Sequence, residues 1–195
     1  MKKITIALIM VISLIAPIQT MAESVTQNGT IIEPLEQNIE QIIDEITSEP
    51  RPINSDAIQN VKEYISKYFG NLGYDNIEYQ KFEYNDENNE NAIRHSSQAD
   101  VFLASTAENA IVDGIGENII VTKNSSIDTT KNLIISAHYD SAEDSVGAND
   151  NGSGVAAVLE LARILKDTEM PYNIKFILFS GEEKYMLGSR WYVGK

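Results

Sequence analysis

Apolar positions along the chain repeat with two different periods. Leu35, Ile39, Ile42, Ile43 and Ile46 recur at helical spacing after Pro34, a residue suited to a first helical position, and Pro50 and Pro52 follow the segment. A second helix is predicted from a cap at Asn54 or Ser55. Its apolar face would be Ile58, Val61, Ile65, Phe69 and Leu72, with Gly70 and Gly73 at its close. Short apolar runs at 77–82, 117–122, 133–137 and 174–179 read as strands, the first reaching on to Tyr84. The run at 174–179 is apolar nearly throughout, as expected of a central strand covered on both faces. Between the last two runs, Val155, Val158, Leu159, Ala162 and Leu165 line one side of a helix that would pack on the sheet. Residues 125–131 form a turn that would join 117–122 and 133–137 as antiparallel neighbours. Residues 85–91 are all Asn, Asp or Glu and read as an exposed loop, 101–110 as a short helix or strand, and 186–192 as the start of a further element. These elements make an α/β domain.

The first 22 residues stand apart from that domain. Lys2 and Lys3 precede an almost wholly apolar stretch over 4–15, and Thr20-Met21-Ala22 ends it with a small residue. This is the pattern of a secretory signal peptide cleaved after Ala22, and the stretch is short for a spanning helix. The organisation read from the sequence is therefore a leader at 1–22 and one domain at 23–195, exported and not held at a membrane after cleavage. The whole chain carries a formal net charge of −14, and the leader contributes only lysines. Such a balance argues against nucleic acid and anionic membranes as partners. There is no cysteine, so disulfides and thiolate ligands are excluded and any metal must be held by His, Asp, Glu or water.

The candidate chemistry gathers at two strand ends. His138-Tyr139-Asp140 follows the run at 133–137, and Asp150 lies in Gly147-Ala148-Asn149-Asp150-Asn151-Gly152-Ser153-Gly154 just before the next helix. Phe179-Ser180-Gly181-Glu182-Glu183 closes the run at 174–179. Ligands in open α/β sheets collect at such carboxyl ends. His138 can bind a metal through one ring nitrogen while Asp140 orients the ring from behind. Adjacent residues point in different directions, so one member of the Glu182–Glu183 pair can ligate while the other takes a proton, the division of labour that metal-assisted hydrolysis needs. His95, the other histidine, lies in a polar run and reads as a surface residue.

On these motifs, with Leu187-Gly188-Ser189 after the acidic pair, the chain resembles the secreted, bacterial-type co-catalytic zinc aminopeptidases, a family related in fold to the glutaminyl cyclases. The resemblance is carried mainly by residues 131–192. It implies a three-layer sandwich with a mixed, mostly parallel sheet between helices, of the phosphorylase/hydrolase-like kind. It also implies two zinc ions, with His138 on one, Glu183 on the other and Asp150 bridging both. Glu182 would be the general base and Asp140 the orienting residue. The implied substrates are peptides with a free N-terminus.

The family also uses an Asp and a His beyond the acidic pair, and the chain closes at Lys195 without them. The resemblance therefore implies a C-terminally incomplete catalytic domain that is inactive alone. In that case the strand at 174–179 would lack a neighbour on one side, and residues 23–195 made alone would be marginal or insoluble. Two other readings follow from the same motifs: a non-catalytic exported binding protein with this fold, and a single-zinc enzyme like the glutaminyl cyclases.

Overall fold

The computed structural model describes residues 25–27, 30–32, 34–84 and 114–194. The leader at 1–22, the loop at 85–91, His95 and the segment 101–110 lie outside the described residues. Two short strands, β1 (Val25–Gln27) and β2 (Thr30–Ile32), pair antiparallel ahead of the domain.

Helix α1 (Glu36–Ile46) buries Ile42 and Ile46 and half-buries Ile39 and Ile43, whereas Leu35 is its exposed cap residue. Helix α2 (Asp56–Asn71) starts where the sequence places it: the Ser55 hydroxyl accepts from the Ile58 amide at 3.1 Å. Its buried face is Ile58, Val61, Ile65 and Phe69, and Gly73 closes the following turn at φ +86°. Strands β3 (Ile77–Tyr84), β4 (Gly114–Lys123) and β5 (Asn132–His138), helix α3 (Ser153–Leu165), strand β6 (Asn173–Phe179) and helix α4 (Leu187–Val193) complete the described chain.

The sheet runs β3-β4-β6-β5. Pairs β3–β4 and β4–β6 are antiparallel, and β5–β6 alone is parallel. The described sheet is thus mixed but mostly antiparallel, which corrects the mostly parallel sheet implied by the resemblance. The expected β4–β5 hairpin is also absent, because β6 lies between those strands. The connection at 124–131 is tied to β6's approach instead: the Ser126 amide and Ser125 hydroxyl donate to the Met170 carbonyl at 3.0 Å, and the Ser125 amide to Asn173 Oδ1 at 2.9 Å. Helix α3 is the crossover that makes β5 and β6 parallel, since two parallel neighbours need such a connection. Strand β6 is central, as its apolar run requires, and β4 supplies the neighbour expected to be missing.

Alternation along the strands sorts the core into two faces. Ile119 and Val121 of β4 and Ile174, Phe176 and Leu178 of β6 meet α1, α2 and α3 in one continuous core. On the other face α4 sits over β3, with Trp191 against Phe82 at 6.1 Å between ring centroids, and Tyr192 lies beside Phe179 at 5.9 Å.

Glu160 locks α1 to α3. It is 2% exposed and accepts from the Leu35 amide at 2.9 Å, from Asn38 at 2.5 Å and from Arg163 Nη2 at 2.7 Å. Burial alone would raise its pKa, but these hydrogen bonds, Arg163's foremost, outweigh burial and hold it below the usual value. A carboxylate depressed in the folded state contributes stability above its unfolded pKa, and loses it as pH falls through the folded pKa. A Glu160→Gln variant should therefore melt below the parent at pH 7. The gap should narrow steadily as pH falls below about 4.3. Melting curves across that range check this, and a gap independent of pH contradicts it.

Candidate metal centre

Strands β5 and β6 run parallel with His138 opposite Phe179, so both chains leave the sheet at the same end. Tyr139 extends the ladder one step, its amide donating to the Phe179 carbonyl at 2.9 Å. His138 ends β5, and the segments that follow the two strands carry Asp140, Asp150, Glu182 and Glu183.

The first loop is 139–147. Gly147 adopts φ +58°, and a Cβ there would lie 2.6 Å from the Asp150 carbonyl oxygen, so only glycine fits the bend. Its carbonyl accepts from the Gly152 amide at 2.9 Å, closing a wide turn, Ala148–Gly152, that presents Asp150 before α3 begins at Ser153. The second loop, from Ser180 into the first residues of α4, folds back on itself. The amides of Met186, Leu187 and Gly188 donate to the carbonyls of Glu182, Gly181 and Ser180 at 2.8, 2.8 and 3.0 Å. Tyr185 and Met186 are left-handed at φ 65° and 59° to make this reversal.

His138 is 8% exposed. Its Nδ1 lies 3.2 Å from the Asp140 backbone oxygen and 3.6 Å from Asp140 Oδ1. Its Nε2 faces Asp150 Oδ1 at 3.0 Å and Glu182 Oε2 at 3.8 Å. Asp140 is fully buried, and its carboxylate has a task not read from the sequence: Oδ1 accepts from the Glu182 amide and Oδ2 from the Glu183 amide, both at 3.1 Å. One carboxylate thus fixes the backbone of the acidic pair while lying beside the imidazole.

The electrostatics favour a cation. Burial works against charge on His138, but the hydrogen bond and charge of Asp140, with Glu182 and Asp150, outweigh it and raise its pKa to about 9. Glu183 is pushed up by burial and by the negative charges of Asp150, Glu182 and Asp140, with His138 opposing. Ligand atoms of His138, Glu182 and Glu183 all lie within 4.8 Å of one another. An imidazole with carboxylate oxygens is a donor set zinc accepts, and the hydrogen-bonding side of the ring already faces Asp140, leaving Nε2 toward the carboxylates. The residues present fit one such ion.

They do not lay out two. Among the described residues His138, Glu182 and Glu183 form a single cluster, which corrects the co-catalytic pair of ions implied by the resemblance. Glu183 joins His138 in that cluster instead of opening a second centre. Asp150, expected as a bridge, meets His138 with a side chain that is 77% exposed.

Two residues that hold the site were not singled out in the sequence. Asn118, fully buried on β4, accepts from the Ser180 amide at 3.1 Å and donates to the Gly188 carbonyl at 2.9 Å, clasping both ends of the second loop. Gly188 is small to admit it, since a Cβ there would stand 2.2 Å from Asn118 Oδ1. Arg51, fully buried between Pro50 and Pro52, reaches the first loop. An asparagine within a strand run and an arginine between prolines carry no signal of such roles.

Residues 118–195 match the model of Peptidase family M28. Aminopeptidase YwaD of Bacillus subtilis is 44% identical over 85 residues, 43% of this chain and 19% of that protein, so the chain spans about a fifth of that relative's length. The structure of BSAP, a zinc aminopeptidase from Bacillus subtilis, superposes with a TM-score of 0.67 at 18% identity, covering 85% of this chain and 66% of that one. The Fimbriiglobus ruber glutaminyl cyclase superposes with a TM-score of 0.55 at 18% identity, over 77% of this chain and 48% of that one. No helix among the described residues is long and apolar enough to cross a membrane. The fold is the one shared by these two structures, and the segment that matches Peptidase family M28 carries His138, Asp140, Asp150, Glu182 and Glu183.

Proposed function

We propose that the chain is the site-bearing part of an exported single-zinc enzyme that works on an amide at the N-terminal residue of a peptide, in the manner of a glutaminyl cyclase. The observation that carries this reading is the single cluster of His138, Glu182 and Glu183. His138 and Glu183 would hold the ion, with Asp150, 3.0 Å from His138 Nε2, completing the set. Zinc in that position would supply Lewis-acid polarisation of the amide carbonyl. Glu182 is left to move the proton. The α-amine of an N-terminal glutamine attacks its own side-chain carbonyl carbon, a C–N bond forms, and the departing nitrogen leaves as ammonia. Glu182 takes the proton from the attacking amine and returns it to that nitrogen. Asp140 keeps the Glu182 backbone still during this transfer through its bond to the Glu182 amide. Residues 1–22 would direct export and be removed, leaving 23 onward as the catalytic part.

The test combines metal counting with product analysis on the full protein. Calorimetric titration of the metal-free form with zinc should give one site. A peptide beginning with glutamine should lose ammonia and keep its length. A stoichiometry of two, or a peptide shortened by its first residue, sinks the proposal.

A further inference from the structure

The Arg51 side chain is fully enclosed, and its partners are backbone carbonyls of the ligand-bearing loop. Nε donates to the Tyr139 carbonyl at 2.8 Å, Nη2 to the Gly147 carbonyl at 3.0 Å, and Nη1 to the Val146 carbonyl. The Arg51 backbone joins the same loop: its amide donates to Ser141 Oγ at 2.9 Å, and its carbonyl accepts from the Ser141 amide at 3.3 Å. One guanidinium therefore holds both ends of the 139–147 loop, immediately after His138 and shortly before Asp150. The Gly147 carbonyl it grips is also the acceptor of the Gly152 amide in the turn that presents Asp150. Burial disfavours the charge on Arg51, while Asp140 and Glu183 favour it. A planar fork of fixed donors can serve diverging carbonyls at once, whereas a lysine ammonium acts as a point charge.

We infer that Arg51 is a positioning residue of the metal centre: its guanidinium sets the distance between His138 and Asp150 by clamping the two ends of the loop that joins them. Its effect on metal uptake rests on the single-zinc reading; the clamp itself does not. Outer partners that orient metal ligands are worth about 10- to 100-fold in metal affinity. Leaving several carbonyls without a donor should also speed the loop's opening by about tenfold or more.

The experiment compares the full protein with Arg51→Met and Arg51→Lys variants, by amide hydrogen exchange in the metal-free state and by zinc titration. Exchange at Ser141, Gly147 and Gly152 should rise about tenfold in Arg51→Met, while that at Ile119 and Ile177 in the sheet stays as in the parent. Zinc affinity should fall about 10- to 100-fold, and Arg51→Lys should lie between the parent and Arg51→Met in both readouts. Should Arg51→Met not yield folded protein, Arg51→Lys decides by the same two readouts. Exchange that rises uniformly across sheet and loop, or that does not rise, overturns the clamp. Unchanged affinity in a variant whose loop has loosened overturns its role toward the metal. A parent that takes up no zinc counts against the function proposed above, and the exchange data still decide whether Arg51 clamps the loop.

Discussion

Glu182→Gln should take up zinc as the parent does and turn over its substrate about 100- to 10,000-fold more slowly. The substitution keeps the size of the side chain and removes only its ability to accept a proton. The Glu182 backbone is held by Asp140 and by the Met186 amide, so the change should not shift the loop. Its Oε2 lies 3.8 Å from His138 Nε2, near enough to the cluster to act on a group bound there. Metal content and turnover are measured on the same preparation. Loss of zinc in the variant would make Glu182 a ligand and refute its role as proton acceptor, and parent-like turnover would remove it from the chemistry altogether.

The second large effect is expected at Asp140. Asp140→Ala strips the acceptor from two amides and the neighbouring carboxylate from His138 at one stroke. The acidic pair and the imidazole then lose their common anchor, and zinc affinity should fall about 10- to 100-fold. Asp140→Asn should fall between the two, because a side-chain amide retains one accepting oxygen and turns a donor toward the other Glu amide. Competition with a chelator of known affinity measures this. Parent-like zinc binding in Asp140→Ala would mean that the second loop holds its shape without the carboxylate.

The local elements were legible in the sequence, because helical and strand periodicities speak for themselves. The face of α2, its Ser55 cap and the buried run of β6 appear in the structure as the pattern requires. His138, Glu182 and Glu183 lie within reach of one another because the ends of β5 and β6 converge in space, which the two apolar runs before them signal. What the pattern could not carry was adjacency. A short polar turn between two apolar runs suggests a hairpin, yet Asn173 and Met170 draw that turn toward β6. The number of ions was equally hidden, since it depends on whether Glu183 stands apart from His138 or beside it. Arg51 and Asn118 were illegible for another reason: their partners are mainly backbone atoms, which leave no mark on residue identity.

The strand order has a consequence for how the molecule assembles. Strand β6 is made after β4 and β5 and must enter between them, so the contacts that bring the acidic pair to His138 are long-range and late in chain order. Closing such contacts is slow relative to forming a local hairpin. A β4–β5 hairpin, the pairing the turn invites, would compete with that order and would have to separate before β6 could insert. A metal ion held by His138, Glu182 and Glu183 would favour only states in which the two loops already meet, so its binding free energy would weigh on the side of the inserted strand and make metal uptake a reporter of completed assembly.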